Sequence, residues 1–332
     1  MDLVLLAAGK SLRYATNRPK YWLTMYDGRF MIEHVIDLYV AQIDYIHVVI
    51  LREHDEKFNV SATLSNIYNN MSITVLDNPS NGPAHSAVAA IRNITDRAIF
   101  IKDCDSLFNT TLPCGNFICV KDNQTDPMSS YVHIKNDCVT NIAEKNRISD
   151  IACVGGYGFL SSKQFVDAVQ LIPVDHEVYI SHVINQMLSA ENFMPVTVTN
   201  YVDLGNLTKF VKYNRNFKTI FCDIDGVIIK NQSEFFPPYY IDAPEILTET
   251  CNKLLELQGQ GVELIFVTAR PQKFYNAIDQ MLKNIGFSNF RLLAGLHHSQ
   301  RILINDYATT NPAPSAIAIN LERNSNDLGD HI

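Results

Sequence analysis

The chain has 332 residues, 47% hydrophobic and 19% charged, the balance of an ordinary globular protein with length enough for two domains. Its net charge of −8 argues against a nucleic-acid backbone as partner, because phosphate tracking needs a clustered basic surface; small anionic ligands stay open, since a pocket can be basic inside an acidic protein. Seven scattered cysteines without a CxxC pair fit a reducing compartment rather than a disulfide framework, and the apolar run from Leu3 to Ala8 is too short for a signal peptide or a membrane span. The expectation is a cytoplasmic protein with no membrane or nucleic-acid partner.

In chain order, residues 3–7, 46–51, 73–76 and 98–102 read as buried strands, and residues 31–41, 54–68 and 84–93 carry apolar positions at helical spacing. Such alternation predicts a mostly parallel α/β sheet, with 131–134 and 156–160 as strands of a mixed portion. Around 212–216 the chain turns polar, and a second series follows: a strand over 219–222, a helix over 243–257, a strand over 262–267, a helix over 274–285, and strands over 302–305 and 316–319. The boundary falls at 213/214, giving domains 1–213 and 214–332; the polar residues 324–332 are expected to fray.

The strongest local feature is Leu6, Ala7, Ala8, Gly9, Lys10, Ser11, Leu12, Arg13, followed by Arg18, Pro19, Lys20. A buried strand runs into a small-residue turn where backbone N–H groups can approach a phosphate, and cations follow within eleven positions. On residues alone, a strand–turn with solvated cations explains the stretch as well. Further along, Asn81, Gly82, Pro83, Ala84 form a glycine turn before a helix. Asp103 and Asp105 end an apolar strand, where carboxylates suit a divalent cation between phosphates or simply make a turn. The Glu144–Lys145 pair precedes a glycine-rich strand, Gly155, Gly156, Tyr157, Gly158, and Asp203 stands in Tyr201, Val202, Asp203, Leu204, Gly205, Asn206.

Taken in this order, these segments resemble the sugar-phosphate nucleotidyltransferase superfamily across residues 1–210. The resemblance implies a Rossmann-like nucleotidyltransferase fold with a mixed sheet. It assigns Arg13 and Lys20 to charge on the α-phosphate and the leaving pyrophosphate. Ala7, Ala8, Gly9, Lys10, Gly82, Pro83, Ala84 and Asp103 would bind the nucleotide. Glu144, Lys145 and Gly156 would bind the acceptor, and Asp105 with Asp203 would hold Mg²⁺. The implied partners are an NTP, with a lean toward CTP from the compact size of the domain, and a phosphorylated sugar, polyol or other small acceptor.

In the second half, Phe221, Cys222, Asp223, Ile224, Asp225, Gly226 is a strand ending in two acids one residue apart, which places both near one cation and one phosphate. With Val267, Thr268, Ala269, Arg270 and Ile304, Asn305, Asp306, it resembles the haloacid-dehalogenase-like (HAD) phosphatases. That implies a small capless α/β domain with Asp223 as nucleophile and Asp225 as general acid/base. Thr268 would bind phosphate, and Asp223, Asp225 and Asp306 would bind Mg²⁺. The cation such phosphatases need beside the phosphate is Arg301 or Lys283, with Arg301 preferred. The whole reads as a bifunctional enzyme of activated-sugar or activated-polyol synthesis, serving a surface polysaccharide. The alternative is an active transferase carrying a non-catalytic HAD-like assembly module; a homo-oligomer is compatible with either.

Overall fold

The structure, a computed structural model, describes residues 1–9, 18–173, 176–231, 244–305 and 316–332. The chain divides into two compact units, Met1–Asn214 and Arg215–Ile332.

The first unit opens with β1 (Asp2–Leu6), whose central residues Leu3, Val4 and Leu5 are fully buried. A 3-10 turn (Lys20–Trp22) leads to α1 (Met31–Asp37), then β2 (Ile46–Leu51), α2 (Arg52–Phe58), α3 (Val60–Ile67), β3 (Met71–Leu76), α4 (Pro83–Ile91) and β4 (Ile99–Asp103). After β4 come β5 (Ser106–Asn109), β6 (Phe117–Lys121), the hairpin β7 (Tyr131–Lys135) and β8 (Cys138–Ala143), and β9 (Ala152–Phe159). The unit ends with α5 (Ser162–Gln170), α6 (Ile180–Met187), β10 (Met194–Thr197), β11 (Thr199–Asp203) and α7 (Leu207–Asn214).

Nine strands make one mixed sheet in the order β10, β6, β9, β4, β1, β2, β3, with β7 and β8 attached beside β9. β1 pairs in parallel with both β2 and β4, whereas β9 runs antiparallel to β4 and β6. β5 and β11 form a separate antiparallel ribbon. Strands with both faces covered read as unbroken apolar runs, and β2 is buried at all six positions. Local chemistry sets the helix ends. Pro83 opens α4 behind Gly82, and the Ser161 hydroxyl oxygen accepts the Gln164 N–H at 3.1 Å to cap α5. The single helix predicted over 54–68 is two, broken where Asn59 takes a left-handed φ of 51°, a conformation asparagine tolerates better than most residues.

The second unit is a smaller α/β body: β12 (Thr219–Asp223), α8 (Thr248–Gly259), β13 (Glu263–Val267), a 3-10 turn (Gln272–Phe274), α9 (Tyr275–Ile285) and β14 (Arg291–Leu293). The three strands lie parallel in the order β12, β13, β14 over a core that includes Ile224, Leu254, Leu264, Phe266 and Leu282. Gly286, at φ 116°, ends α9. Three sequence expectations fail here. The tail at 324–332, expected to fray, is packed: Leu328 is buried in this core and Asn326 Oδ1 accepts the Thr250 N–H at 3.1 Å. Residues 302–305 and 316–319 are not strands, and Ile304 and Ile317 are 91% and 77% exposed. An apolar run becomes a strand only when a ladder partner and a covered face await it, and among the described residues neither stretch has a ladder partner. No helix of the described residues is long and apolar enough to cross a membrane.

Candidate active site

The strand order places the site. From β1 the chain moves outward through β2 and β3, then returns to lay β4 on β1's other side. The carboxyl ends of β1 and β4, where the order reverses, are the usual ligand position in open α/β sheets. Leu6 of β1 lies in register with Asp103 of β4. Ala7 and Ala8 continue β1 as buried residues, and Gly9 is exposed at the rim. Lys10 and Arg13 lie outside the described residues. Lys20, from the 3-10 turn after β1, donates its Nζ hydrogen to Asp105 Oδ2 at 2.5 Å. Burial alone would lower the Lys20 pKa, but the Asp105 carboxylate outweighs it and the pKa is raised.

The acidic turn after β4 stands on a buried cation. Lys102 is fully buried, and its ammonium donates to Asp103 O at 2.8 Å, Ser106 O at 2.9 Å and Ser106 Oγ at 2.7 Å, so all three hydrogens are used. Ser106 Oγ in turn donates to Val154 O at 3.0 Å, tying the turn to β9. Burial pushes the Asp103 carboxyl up to about 6, helped by neighbouring Asp105. A Cβ on Gly155, whose φ is +80°, would sit 2.5 Å from Asp103 Oδ2, so the glycine makes room for that carboxylate. Gly156 serves packing instead: a Cβ there would meet Phe108 and Cys119.

The second carboxylate arrives through the β5–β11 ribbon. Asp203 faces Ser106 in the ladder, and Leu204 N donates to Asp105 O at 2.8 Å. A Cβ on Gly205 would lie 3.0 Å from Asp203 Oδ1 and 3.6 Å from Asp105 Oδ2, so both carboxylates border one small space beside Gly205, whose N–H donates to Asp203 Oδ1 at 2.7 Å. Two hard oxygen donors at such a space suit a magnesium-like cation, which takes few protein ligands and leaves the rest to water and phosphate. Among the described residues no group of three or more His, Cys, Asp or Glu side chains is arranged to hold a metal. Lys209 bonds the other Asp203 oxygen and reaches Asp126 Oδ2 at 3.2 Å.

The glycine turn before α4 is built as tightly. Gly82 has φ +104°, and a Cβ there would sit 2.6 and 2.7 Å from the Val178 O and N. Val178 N donates to Asn81 O at 3.0 Å, and Ala84 N to Val178 O at 3.1 Å. Pro83 fills the first helical position. Glu144 accepts from Ser130 Oγ at 2.5 Å and Ser181 Oγ at 2.7 Å, and its charge helps raise the Asp103 pKa. Lys145 Nζ donates to Tyr179 Oη at 2.6 Å.

In the second unit the named side chains gather at the carboxyl edge of the three-stranded sheet. Asp223 ends β12 in register with Val267, the residue before Thr268. Burial raises the Asp223 pKa, neighbouring Asp225 adds to the rise, and a hydrogen bond from the Ile224 backbone N–H pulls the other way. Thr268 is 1% exposed; its Oγ1 lies 3.5 Å from Asp225 Oδ2 and accepts the Arg270 N–H at 3.1 Å. Arg270, absent from the expected site, forks onto Asp225 with Nη2 2.6 Å from Oδ1 and Nε 2.9 Å from Oδ2. Arg301 itself is exposed and donates to the His297 and Ser299 carbonyls. Lys283, the other cation considered, pairs with Asp279 at 2.7 Å along α9. Asp306 lies outside the described residues.

Sequence reasoning missed Lys102, Lys209, Tyr179 and Arg270. Only Lys102 carried a signal, a lysine inside an otherwise apolar strand, which is rare unless the charge is used.

Fold and site together define an α/β domain with a lysine and two carboxylates where the strand order reverses. Residues 3–112 match the family described as MobA-like NTP transferase domain. The bifunctional protein GlmU of Buchnera aphidicola subsp. Acyrthosiphon pisum is 37% identical over 94 residues, 28% of this chain and 19% of GlmU. The match thus spans about a fifth of that relative's length. Among solved structures, the nucleoside-diphosphate-sugar pyrophosphorylase from Vibrio cholerae RC9 has a TM-score of 0.58 at 18% identity, covering 65% of this chain and 100% of that one. The inositol-1-phosphate CTP transferase from T. maritima has a TM-score of 0.55 at 13% identity, covering 63% of this chain and 90% of that one. Those likenesses show the fold.

Proposed function

We propose that residues 1–213 transfer a nucleotidyl group from an NTP to the phosphate of a small phosphorylated acceptor, with release of pyrophosphate. The observation that carries this reading is the meeting of Lys20, Asp105 and Asp203 at the reversal of strand order. An acceptor phosphate oxygen attacks the α-phosphorus in line and the bond to pyrophosphate breaks, a reaction that asks the protein for positioning and charge rather than for a covalent nucleophile. Mg²⁺ held by Asp105 and Asp203 would supply Lewis-acid neutralisation of the phosphates. Lys20 lies where charge develops on the α-phosphate and leaving group, and Arg13 is assigned the same role by resemblance. The Gly82–Ala84 turn accommodates the base, and Glu144 and Lys145 take the acceptor. The CTP transferase among the structural neighbours is in line with a CTP donor, and the GlmU and pyrophosphorylase likenesses with a sugar phosphate acceptor.

The deciding experiment is pyrophosphate release with Mg²⁺, each NTP in turn, and a panel of sugar, polyol and choline phosphates. Release with one pair, lost in Asp105→Ala, supports the reading. No release with any pair, from a folded chain, overturns it.

For residues 214–332 we propose a phosphomonoesterase of the HAD type, resting on Asp223, Asp225 and Thr268 at one sheet edge. Its substrate would be a phosphate ester other than the transferase's acceptor, since hydrolysing that acceptor would be futile. The Arg270 fork on Asp225 favours the second reading, a non-catalytic module in which both acids serve structure. Hydrolysis of a phosphate-ester panel by the wild type, abolished in Asp223→Asn, decides for catalysis; equal background in both decides for the module.

A further inference from the structure

The acceptor lysine has an unusual setting. Lys145 takes a left-handed backbone with φ 51°, a conformation that long side chains adopt rarely and that the surrounding structure must hold in place. Its ammonium donates to Tyr179 Oη at 2.6 Å and lies 4.3 Å from the centre of the Tyr179 ring. The Tyr179 hydroxyl passes its own hydrogen to Glu177 Oε2 at 2.5 Å. One phenol therefore orders a cation on one side and a carboxylate on the other.

Tyr179 is itself fixed from three directions. Its ring stands edge-on to His182 at 5.5 Å, and its N–H donates to His182 Nδ1 at 3.4 Å. Its neighbour Val178 is fully buried and locked by backbone hydrogen bonds to Asn81 and Ala84, on either side of Gly82. The stretch that carries the tyrosine is thus the same stretch that clamps the glycine turn of the nucleotide side.

We propose that Tyr179 is the positioning residue of Lys145: it holds the ammonium that receives the acceptor's phosphomonoester at a fixed place relative to the Gly82 turn. The inference rests on the transferase reading of this site. Tyr179 touches neither reacting atom; it acts through the lysine. Losing the hydroxyl frees a long flexible chain, so the acceptor phosphate must then pay the entropy of ordering it. The nucleotide turn, clamped by backbone bonds that a phenylalanine keeps, stays as it is.

The test is a double-mutant cycle on pyrophosphate release, using the NTP and acceptor pair that the wild type accepts. Tyr179→Phe should raise the acceptor KM about tenfold and leave kcat and the NTP KM within about twofold. Lys145→Met should raise it at least as much, and adding Tyr179→Phe to Lys145→Met should change nothing further, because the two act as one unit. An unchanged acceptor KM in Tyr179→Phe overturns the proposal, and so does an equal effect with and without the lysine, which a merely structural tyrosine would give. A wild type that releases no pyrophosphate defeats the transferase reading instead. The relay is then read without activity, by NMR titration of the Lys145 side chain. The hydrogen bond to Tyr179 leads the causes that raise the Lys145 pKa, so Tyr179→Phe must lower it; an unmoved titration overturns the relay.

Discussion

Lys20 and Asp105, 85 positions apart in the chain, meet with Nζ 2.5 Å from Oδ2, both largely shielded from water with side-chain exposures of 22% and 17%. Their meeting puts a cation against the carboxylate proposed to carry Mg²⁺. A preorganised charge in such a place acts on the transition state more than on ground-state binding. Lys20→Met should therefore lower kcat for pyrophosphate release by about 10²–10³ while the NTP KM moves far less. A KM effect with kcat intact would assign Lys20 to uniform substrate binding instead.

Gly155 tests whether Asp103 belongs to the site. A methyl group there would press on Asp103 Oδ2 from 2.5 Å in a backbone held at φ +80°, so neither the side chain nor the main chain can absorb it cheaply. Gly155→Ala should cost about 1–3 kcal/mol of stability in urea unfolding. At temperatures where the variant is fully folded, its transferase rate should fall at least as far as that of Asp103→Asn. A folded variant with wild-type turnover would show that Asp103 only packs.

Much of this fold is legible in the sequence, because β1, β2 and β4 are covered on both faces and write themselves as apolar runs. Their carboxyl ends then locate Asp103 without further help. Asp203 is different: β11 is half-exposed and carries no periodic pattern, so its place beside Asp105 follows only from the ribbon with β5 or from family resemblance. The roles of Tyr179 and Arg270 arise from partners 34 and 45 positions away, and no local pattern announces such pairs. Residues 302–305 mislead for the opposite reason: three consecutive aliphatic side chains promise a buried strand, but burial is decided by neighbours, not by the run itself.

Asp27 should make stability depend on pH at the acid end. Its carboxylate accepts Arg29 Nε at 3.0 Å, Arg29 N at 3.1 Å and a bond from His34 Nε2 at 3.0 Å. Burial pushes its pKa up, but the His34 and Arg29 hydrogen bonds overcome that and hold it at about 2, below the ordinary 3.8. A carboxyl depressed on folding stabilises above its unfolded pKa and loses that contribution as pH falls through its folded one. The melting temperature of the wild type should exceed that of Asp27→Asn at pH 6, with the gap closing between pH 4 and 2. The gap is small, as the group is partly solvated and such pairs contribute about 0–1 kcal/mol. A gap that is constant across this range would remove Asp27 from the acid response.

Arg270 offers the clearest handle on the second unit. It meets Asp225 with two parallel bonds, and the exposures of the two side chains are only 13% and 18%, so neither group has water enough to replace the other. Arg270→Ala leaves the carboxylate short of its main partner and should destabilise the unit by about 1–3 kcal/mol in urea unfolding. Arg270→Lys should recover only part of this, because an ammonium is a point charge and cannot reproduce the fork. The same pair of variants separates the two readings of the unit. If Asp225 moves a proton during phosphate-ester hydrolysis, the fork sets its orientation, and both variants should slow hydrolysis at least tenfold under conditions where they remain folded. If the fork exists for structure alone, the urea midpoints shift as stated while wild type and variants hydrolyse the ester panel no faster than Asp223→Asn.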